Sequence, residues 1–375
     1  MGDAKHWSVA LADTLMKRYP DPDRFPYKSW SYSQGFMLWG MVMLWEYTGE
    51  MRYFDYVMRY AQEHVDADGN ISGFAGDSMD DMMAGVILLW AYSHTKKERY
   101  RKACETIRQQ YRTYPRTAAG AFWHGKHLPG EFWVDGVFMG QIFLTQYGNM
   151  FGDGAGCYAE AVRQLELIYG HCRKKDTGLL YHAWSEDGRA PWSDPATGCS
   201  PEVWSEGLGW YSLILVETLE VLPPEQEGRA RIAAQLKELL QSLKITQDEH
   251  TGLWHQVVDK GGKEGNWQDT SGSAMFVYAI QKAIELGLAG KEEFGAVVEK
   301  GYKGILSKAT VNAGGMVDIF DACDGLCVQN SYLEYVNYEK TVNAKEAVAA
   351  FLWAAAIVEK PTGAARMMEK GGDPY

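Results

Sequence analysis

A carboxyl group among aromatic side chains is the first candidate for chemistry in this chain. Asp135 follows Phe132 and Trp133 and precedes Phe138. Aromatic neighbours would desolvate the carboxyl, and desolvation raises the pKa of an acid toward the range in which it can deliver a proton. The same residue stands where a loop gives way to a helix, so it is also a candidate N-cap that accepts the backbone N–H of Phe138.

A second carboxyl group is available in the run that contains Asp77, Asp80 and Asp81. Asp77 and Asp80 are three residues apart and would share one face of a helix, whereas Asp81 would lie about 100° away from Asp80. Asp80 and Asp81 therefore cannot easily enter one site together. The alternative interpretation is a first helical turn enriched in acids, which complement the helix dipole.

A third group of residues combines an acid with two tryptophans. Trp204, Glu206 and Trp210 stand at a predicted helix start, together with Gly207 and Gly209, which would let another group approach closely. An acid in such surroundings is either paired or functional. Simple packing of the tryptophans in the core is the alternative.

A short unit that ends in a histidine occurs three times, at 120–124, 178–182 and, in a shortened copy, at 252–255. Its histidines are His124, His182 and His255. Equivalent positions in a repeat predict that the three imidazoles meet in one site, where they would bind sugar hydroxyls or a carboxylate. Each histidine is also a candidate edge residue of the core, and a metal held by all three is a further alternative.

The elements that must position these residues are helices, because apolar residues recur at helical spacing along nearly the whole chain. The predicted segments are 5–19, 34–47, 51–65, 78–94, 97–114, 136–149, 156–173, 204–221, 226–244, 271–287, 292–307, 327–337 and 343–359. No linker divides them, so we expect one domain over residues 1–375. Hairpins with equivalent loops predict an all-α (α/α)6 barrel, with six inner and six outer helices and a site at one end. An irregular solenoid of helical pairs is the alternative.

The composition narrows the classes of partner. Lys and Arg total 37 against 49 Asp and Glu, and a formal net charge of −12 argues against nucleic acid and against anionic membranes. No apolar run approaches the ~20 residues of a membrane span, and the first residues lack a signal-peptide core, so we expect a cytoplasmic protein. Aromatic residues make up 13% of the chain, which favours sugar binding. We expect a monomer or a weak homo-oligomer.

The cysteines do not form a recognisable framework. Six in 375 residues suit a reducing compartment. Cys323 and Cys327 are four residues apart beside acids, but a second pair of ligands is missing. We therefore expect no metal and no other cofactor.

These residues together resemble the unsaturated rhamnogalacturonyl hydrolases, glycoside hydrolase family 105, and more distantly the unsaturated glucuronyl hydrolases of family 88. The most specific block runs from 124 to 136, with Trp133 and Asp135. The other matching stretches are 30–35, 48–50 with Tyr53, Asp80 with Gly85, 178–184, 192–198, 204–210, 252–259 and 270–271. The resemblance implies an (α/α)6 barrel that needs no metal. It also implies removal of a 4,5-unsaturated uronic acid from the end of oligosaccharides that polysaccharide lyases produce.

The resemblance also implies roles for single residues. Asp135 matches the general acid/base of the family, and Asp80 matches its assisting carboxylate. The remaining matches are the site histidines His124 and His182 and the aromatic positions around the sugar, which are Tyr32, Trp133, Trp204 and Trp210.

The chain departs from the family pattern at two positions. Glu206 stands where the pattern has an arginine, and Gly125 stands where it has a lysine. Both changes remove positive charge near an anionic substrate, and candidates to replace it are Lys126, His127 and Arg189. The departures leave the aglycone open. They also leave two other functions open: a hydrolase of saturated uronides that pairs Asp135 with Asp80 or Glu206, and a non-catalytic toroid that binds carbohydrate.

Overall fold

The computed structural model describes residues 6–152 and 154–361. Over these residues the chain forms fourteen α-helices, two short 3-10 helices (Pro22–Arg24 and Val258–Lys260) and six short strands. The helices are α1 (Trp7–Arg18), α2 (Tyr32–Thr48), α3 (Met51–His64), α4 (Asp80–Met83), α5 (Gly85–Thr95), α6 (Glu98–Thr113), α7 (Val134–Phe151), α8 (Gly154–Cys172), α9 (Ser205–Val221), α10 (Arg229–Thr246), α11 (Thr270–Glu285), α12 (Lys291–Leu306), α13 (Tyr332–Val336) and α14 (Lys345–Glu359). The strands are β1 (Glu131–Trp133), β2 (Ala183–Ser185), β3 (Trp254–His255), β4 (Gln268–Asp269), β5 (Ala309–Val311) and β6 (Val317–Ile319).

Six helices form a closed inner ring. In the order α2, α5, α7, α9, α11 and α14, each packs against the next, and α14 packs back against α2. These helices are buried almost all the way round, as their uniformly apolar sequences require. The helices α1, α3, α6, α8, α10 and α12 alternate with them along the chain and cover the ring from outside. The predicted (α/α)6 barrel is confirmed.

The repeated unit of the sequence is the turn between an outer helix and the next inner helix. Its glycine has a left-handed backbone in all three copies, with φ of 95° at Gly120, 73° at Gly178 and 75° at Gly252. A side chain there would also collide with the next outer helix. These contacts are Gly120 with Arg163 of α8, Gly178 with Glu238 of α10, and Gly252 with Lys300 of α12.

These turns gather the N-terminal ends of the inner helices at one end of the barrel. Strands β1 and β2, which precede α7 and α9, pair in antiparallel register there, and so do β3 and β4 before α11. Each inner helix begins with a polar side chain at this end. These residues are Tyr32, Asp80 in the single turn α4 that leads into α5, Asp135, Glu206, Asp269 and Glu346. Helix N-termini carry partial positive charge, so this end of the barrel favours anions.

Two predicted helices differ from the structure. The segment predicted at 327–337 is helical only over α13, because the Ser331 side chain caps a new helix by accepting the N–H of Glu334. The segment predicted at 78–94 is divided at Ala84 between α4 and α5. Residues 1–5, 153 and 362–375 of the predicted domain lie outside the described residues. Within the described part of the chain, no helix has the length and apolarity needed to cross a membrane.

Candidate active site

A pocket with an empty volume of about 650 Å³ opens at the N-terminal end of the inner helices. This volume includes the solvent at the open mouth of the pocket, and the cavity itself measures about 220 Å³. Eight of the nine predicted site residues line it: Tyr32, Asp80, His124, Trp133, Asp135, Trp204, Glu206 and Trp210. The ninth, His182, contacts Asp135 beside the pocket.

Asp135 is the second residue of α7, so its interpretation as an N-cap is wrong. Trp133 holds the cap position, without a side-chain hydrogen bond to the helix. The N–H of Val134 donates instead to the carbonyl of His182 at 3.0 Å, which satisfies one of the free donors of the first turn. The Asp135 carboxyl is therefore not needed as a cap and lies in the pocket wall.

The Asp135 carboxyl has an unpaired oxygen. Its Oδ1 atom lies 3.8 Å from Nε2 of His182, and neither atom has a hydrogen-bond partner among the described residues. Burial raises the pKa of Asp135 to about 6, His124 opposes this shift, and the charge of Asp80 adds to it. Burial also lowers the pKa of His124 and of His182, which favours the neutral form of both imidazoles. The result is an acid that can hold its proton in mildly acidic solution.

Asp80 also lines the pocket. Its carboxyl is 32% exposed, and its Oδ2 lies 3.9 Å from Nε2 of His124. Desolvation in the pocket raises the pKa of Asp80 to about 7, and the neighbouring charge of Asp81 adds to this shift, while His127 and Lys345 oppose it. Asp80 therefore also titrates near neutral pH.

The other acids of this run do not enter the pocket. Asp81 turns back and accepts the backbone N–H of Asp77 at 2.9 Å, which confirms that Asp80 and Asp81 do not share the site. Asp77 precedes α4 and pairs with Lys126 at 3.1 Å. The prediction that Asp77 and Asp80 share a helix face is therefore wrong.

Aromatic rings fix the two histidines. Trp133 stacks on His124 with ring centroids 4.1 Å apart and planes within 11°. Trp204 packs on His182 with centroids 4.5 Å apart. The hydroxyl of Tyr335 bonds to Nδ1 of His182 at 2.9 Å and accepts the N–H of Gln329 at 3.4 Å. We assign the Tyr335 proton to its bond with Nδ1, which leaves the imidazole proton on Nε2, the atom that faces Asp135.

Trp210 is mainly a core residue. It lines the floor of the pocket but is only 2% exposed. Its ring packs against Phe36 and Phe138 with centroids 4.5 and 4.9 Å away. Little of it can contact a sugar directly.

A family model described as Glycosyl Hydrolase Family 88 matches residues 7–361. The chain belongs to glycosyl hydrolase family 88. This finding confirms the resemblance drawn from the sequence. Protein Atu3128 of Agrobacterium fabrum is 34% identical over 168 residues, which are 44% of this chain and 70% of that protein.

Solved structures with the same fold come from families 105 and 88. A Clostridium acetobutylicum glycoside hydrolase from family 105 is 29% identical, with a TM-score of 0.90 over 95% of this chain and 99% of that one. The unsaturated glucuronyl hydrolase of Bacillus sp. GL1 is 15% identical, with a TM-score of 0.69 over 94% of this chain and 95% of that one. The second likeness is one of fold alone.

Glu206 of this family 88 protein belongs to a buried acid cluster. Its Oε2 accepts the hydroxyl of Ser271 at 2.8 Å, and that hydroxyl also contacts Asp269 at 2.9 Å. The hydroxyl of Tyr32 donates to Glu346 at 2.5 Å. Burial raises the pKa of Glu206 well above its usual value, and the charges of Glu346 and Asp269 add to this shift. Glu206 is therefore paired, and its surroundings favour the protonated form of its carboxyl.

Sequence reasoning missed Glu346 and Asp269. Both could have been found by the feature that marked Glu206, which is an acid at the start of a helix whose other residues are mostly apolar. Cys327, considered above as a metal ligand, lines the pocket instead. Among the described residues, no group of three or more His, Cys, Asp or Glu side chains is placed to hold a metal.

His255 does not join the other two histidines, so the predicted three-histidine site is wrong. It lines a separate pocket with Asp248 and Asp259. The shortened repeat places Gln256 in the equivalent position. The carbonyl of Gln256 accepts the first N–H of α9, just as the carbonyl of His182 accepts the first N–H of α7.

Proposed function

We propose that this family 88 protein removes a 4,5-unsaturated uronic acid from the non-reducing end of lyase-generated oligosaccharides. The reaction is hydration of the C4=C5 double bond, with Asp135 as general acid and base. The observation that carries the proposal is the Asp135 carboxyl, which combines a pKa of about 6 with an unpaired oxygen in an aromatic pocket. The Bacillus sp. GL1 protein, which shares this fold, is an unsaturated glucuronyl hydrolase, and this supports the substrate class.

The reaction needs one proton donor that becomes a base. Protonated Asp135 delivers its proton to C4, the double-bond electrons form the new C4–H bond, and the positive charge at C5 delocalises onto the ring oxygen. The ionised carboxylate then takes a proton from the water whose oxygen bonds to C5. The C5 hemiketal opens by breaking its bond to the ring oxygen, and the aglycone leaves from C1. One water is consumed overall.

The neighbouring residues set the state of this acid. The charge of Asp80 raises the pKa of Asp135, which favours the proton-loaded form at the start of the reaction. The Nε2–H of His182, 3.8 Å from Oδ1, is in position to steady the carboxylate once the proton has left. The exposed part of Trp133 offers an apolar ring for the sugar face.

The test compares unsaturated disaccharides with their saturated counterparts. The conjugated enol carboxylate absorbs in the ultraviolet and its hydrated product does not, so absorbance reports the double bond, while chromatography reports the released aglycone. We expect loss of absorbance and release of the aglycone from unsaturated substrates, with saturated uronides unchanged. Cleavage of saturated uronides with no loss of absorbance would overturn the proposal. The digest that reacts also identifies the aglycone.

We further propose that the chain is a single catalytic domain of the cytoplasm that acts as a monomer or a weak homo-oligomer. All six cysteines are unpaired, which suits a reducing compartment. Fractionation of cells and sedimentation of the purified protein test these two points.

A further inference from the structure

The pocket is rich in acids, although the proposed substrate is itself an anion. Asp80, Asp135 and Glu206 line the pocket. Glu346 accepts a hydrogen bond from Tyr32, which also lines it. The pKa of each lining acid is raised, so these acids tend to be protonated in mildly acidic solution and repel a substrate carboxylate less. A buried carboxylate on the substrate still needs a positively charged partner.

The three basic residues suggested by the sequence do not supply this partner. Lys126 pairs with Asp77, and Arg189 has a side chain that is 87% exposed and pairs with Asp187 at 3.2 Å. His127 packs over Gly125, where a Cβ would lie 2.7 Å from its ring. None of the three lines the pocket among the residues that the structure describes.

Lys345 is the basic residue that does line the pocket. It is the first residue of α14, and its side chain is 11% exposed. Its Nζ atom lies 2.9 Å from Oε1 of Glu346 and 3.0 Å from Oδ1 of Asp324. These two acids raise the pKa of Lys345 against the effect of burial, so the ammonium stays charged.

The charge of Lys345 also reaches both sides of the pocket. It opposes the rise in the pKa of Asp80 and likewise that of Glu206. Because Lys345 lines the same pocket as Asp80 and Glu206, a ligand held there lies within reach of its charge.

A glycine keeps the Lys345 ammonium uncovered. Gly325, in the loop before α13, has φ of 61°, and a Cβ there would lie 3.0 Å from the Lys345 Nζ, 3.0 Å from Oε1 of its partner Glu346 and 3.4 Å from the Tyr32 hydroxyl. Any side chain at 325 would crowd these groups. Gly325 itself lines the pocket, so its bare backbone leaves a polar corner beside the ammonium.

We propose that the Lys345 ammonium binds the carboxylate of the substrate sugar, an inference that rests on the proposed function. The carboxylate takes the corner beside Gly325, where the N-terminus of α14 adds its partial positive charge. Lys345 thus provides, from a different helix, the positive charge that the family pattern places at residue 206.

The test crosses two variants with two substrates. Lys345→Met removes the charge and keeps the length, and Lys345→Arg keeps the charge. The substrates are an unsaturated uronate disaccharide and its methyl ester, which lacks the negative charge. We expect Lys345→Met to lower kcat/KM for the acid by about 10- to 100-fold, the usual range for a charge-assisted hydrogen bond, and for the ester by less than about 3-fold. Lys345→Arg should restore part of the preference for the acid.

The ratio of the two substrates is measured in one preparation, so it does not depend on the fraction of variant that folds. This matters because Lys345→Met leaves Glu346 and Asp324 without their partner. Equal losses for acid and ester would overturn the inference and assign Lys345 a structural role. Lys126→Met, which removes an exposed lysine outside the pocket, is the matched control and should leave the ratio unchanged.

A binding measurement separates this inference from the proposed function. Tryptophan fluorescence of the Asp135→Asn protein, with and without Lys345→Met, reports binding of the same acid and ester. Binding that prefers the acid only when Lys345 is present supports the inference even if the wild-type protein turns over neither compound. If the acid is turned over but the acid-to-ester ratio of kcat/KM is the same with and without Lys345, the proposed function stands and the inference is rejected. Neither turnover nor binding would reject both.

Discussion

The Oδ1 atom of Asp135 lies 3.8 Å from the Nε2 atom of His182, and both atoms lack a hydrogen-bond partner within the described structure. Two buried polar atoms left open and facing each other would be costly in a purely structural role. A substrate, or the water that attacks it, would supply the missing hydrogen-bond partner of both atoms. This open pair therefore lies at the carboxyl group proposed to transfer the proton.

The first prediction concerns pH. Asp135 must carry a proton to act as an acid, and its pKa is about 6. We therefore expect kcat/KM to level off below about pH 6 and to fall about tenfold per unit above it, because the protonated fraction falls in that proportion. Steady-state rates between pH 5 and 8 check this. A profile that rises across this range would assign the reaction to a different acid.

The second prediction separates Asp80 from Asp135. The charge of Asp80 raises the pKa of Asp135, so Asp80→Asn should lower that pKa and move the alkaline limb of the kcat/KM profile to lower pH. The pH profile of the variant measures the shift directly, whatever its rate. Asp77→Asn, an exposed acid three residues earlier, is the control and should leave the limb in place. An unmoved limb in Asp80→Asn would show that the two carboxyls do not interact.

The third prediction concerns the tautomer of His182. Tyr335→Phe removes the hydroxyl that donates to Nδ1, so the Nε2–H toward Asp135 is no longer enforced. We expect kcat to fall about tenfold, equivalent to about 1.4 kcal/mol for one neutral hydrogen bond, with little change in KM. Tyr332→Phe on the same helix loses only exposed bonds to the carbonyls of Lys263 and Glu264 and should leave kcat unchanged. A rise in KM without a fall in kcat would contradict this role.

The fourth prediction concerns Glu206. Burial and two nearby acids raise its pKa well above the usual value, so a charge at this position weakens the fold as the pH rises. Glu206→Gln should match the wild type near pH 5 and exceed its free energy of unfolding by about 1–3 kcal/mol near pH 8, while activity persists. Chemical denaturation at both pH values measures this. Loss of activity by orders of magnitude would instead make Glu206 a catalytic acid for a saturated substrate.

The helices and much of the pocket were predictable because they depend on local pattern. Apolar spacing defined all six inner helices, and an acid among aromatics marked Asp135. Other features depend on contacts between distant segments. Lys345 lies on the last inner helix, and only closure of the ring against α2 brings it to Asp80 and Glu206. His255 is a case in which the local pattern misled. The third repeat is one residue shorter, so Gln256 and not His255 occupies the position equivalent to His182.

The central claim is that Asp135 transfers the proton, and Asp135→Asn tests it. The amide keeps the shape of the side chain and removes the buried charge. Because the folded pKa is raised from 3.8 to about 6, the wild type loses stability as pH rises through that window, by at most about 3 kcal/mol, and the variant should not. Equal or higher stability of the variant at pH 7 would show that any loss of activity is chemical.

The decisive measurement is the ultraviolet absorbance of an unsaturated uronate disaccharide incubated with the wild type, with Asp135→Asn and with Asp77→Asn as control. The account predicts that absorbance disappears with the wild type and the control, and that Asp135→Asn is slower by about 10²–10⁴-fold. Wild-type turnover that survives in folded Asp135→Asn would contradict it.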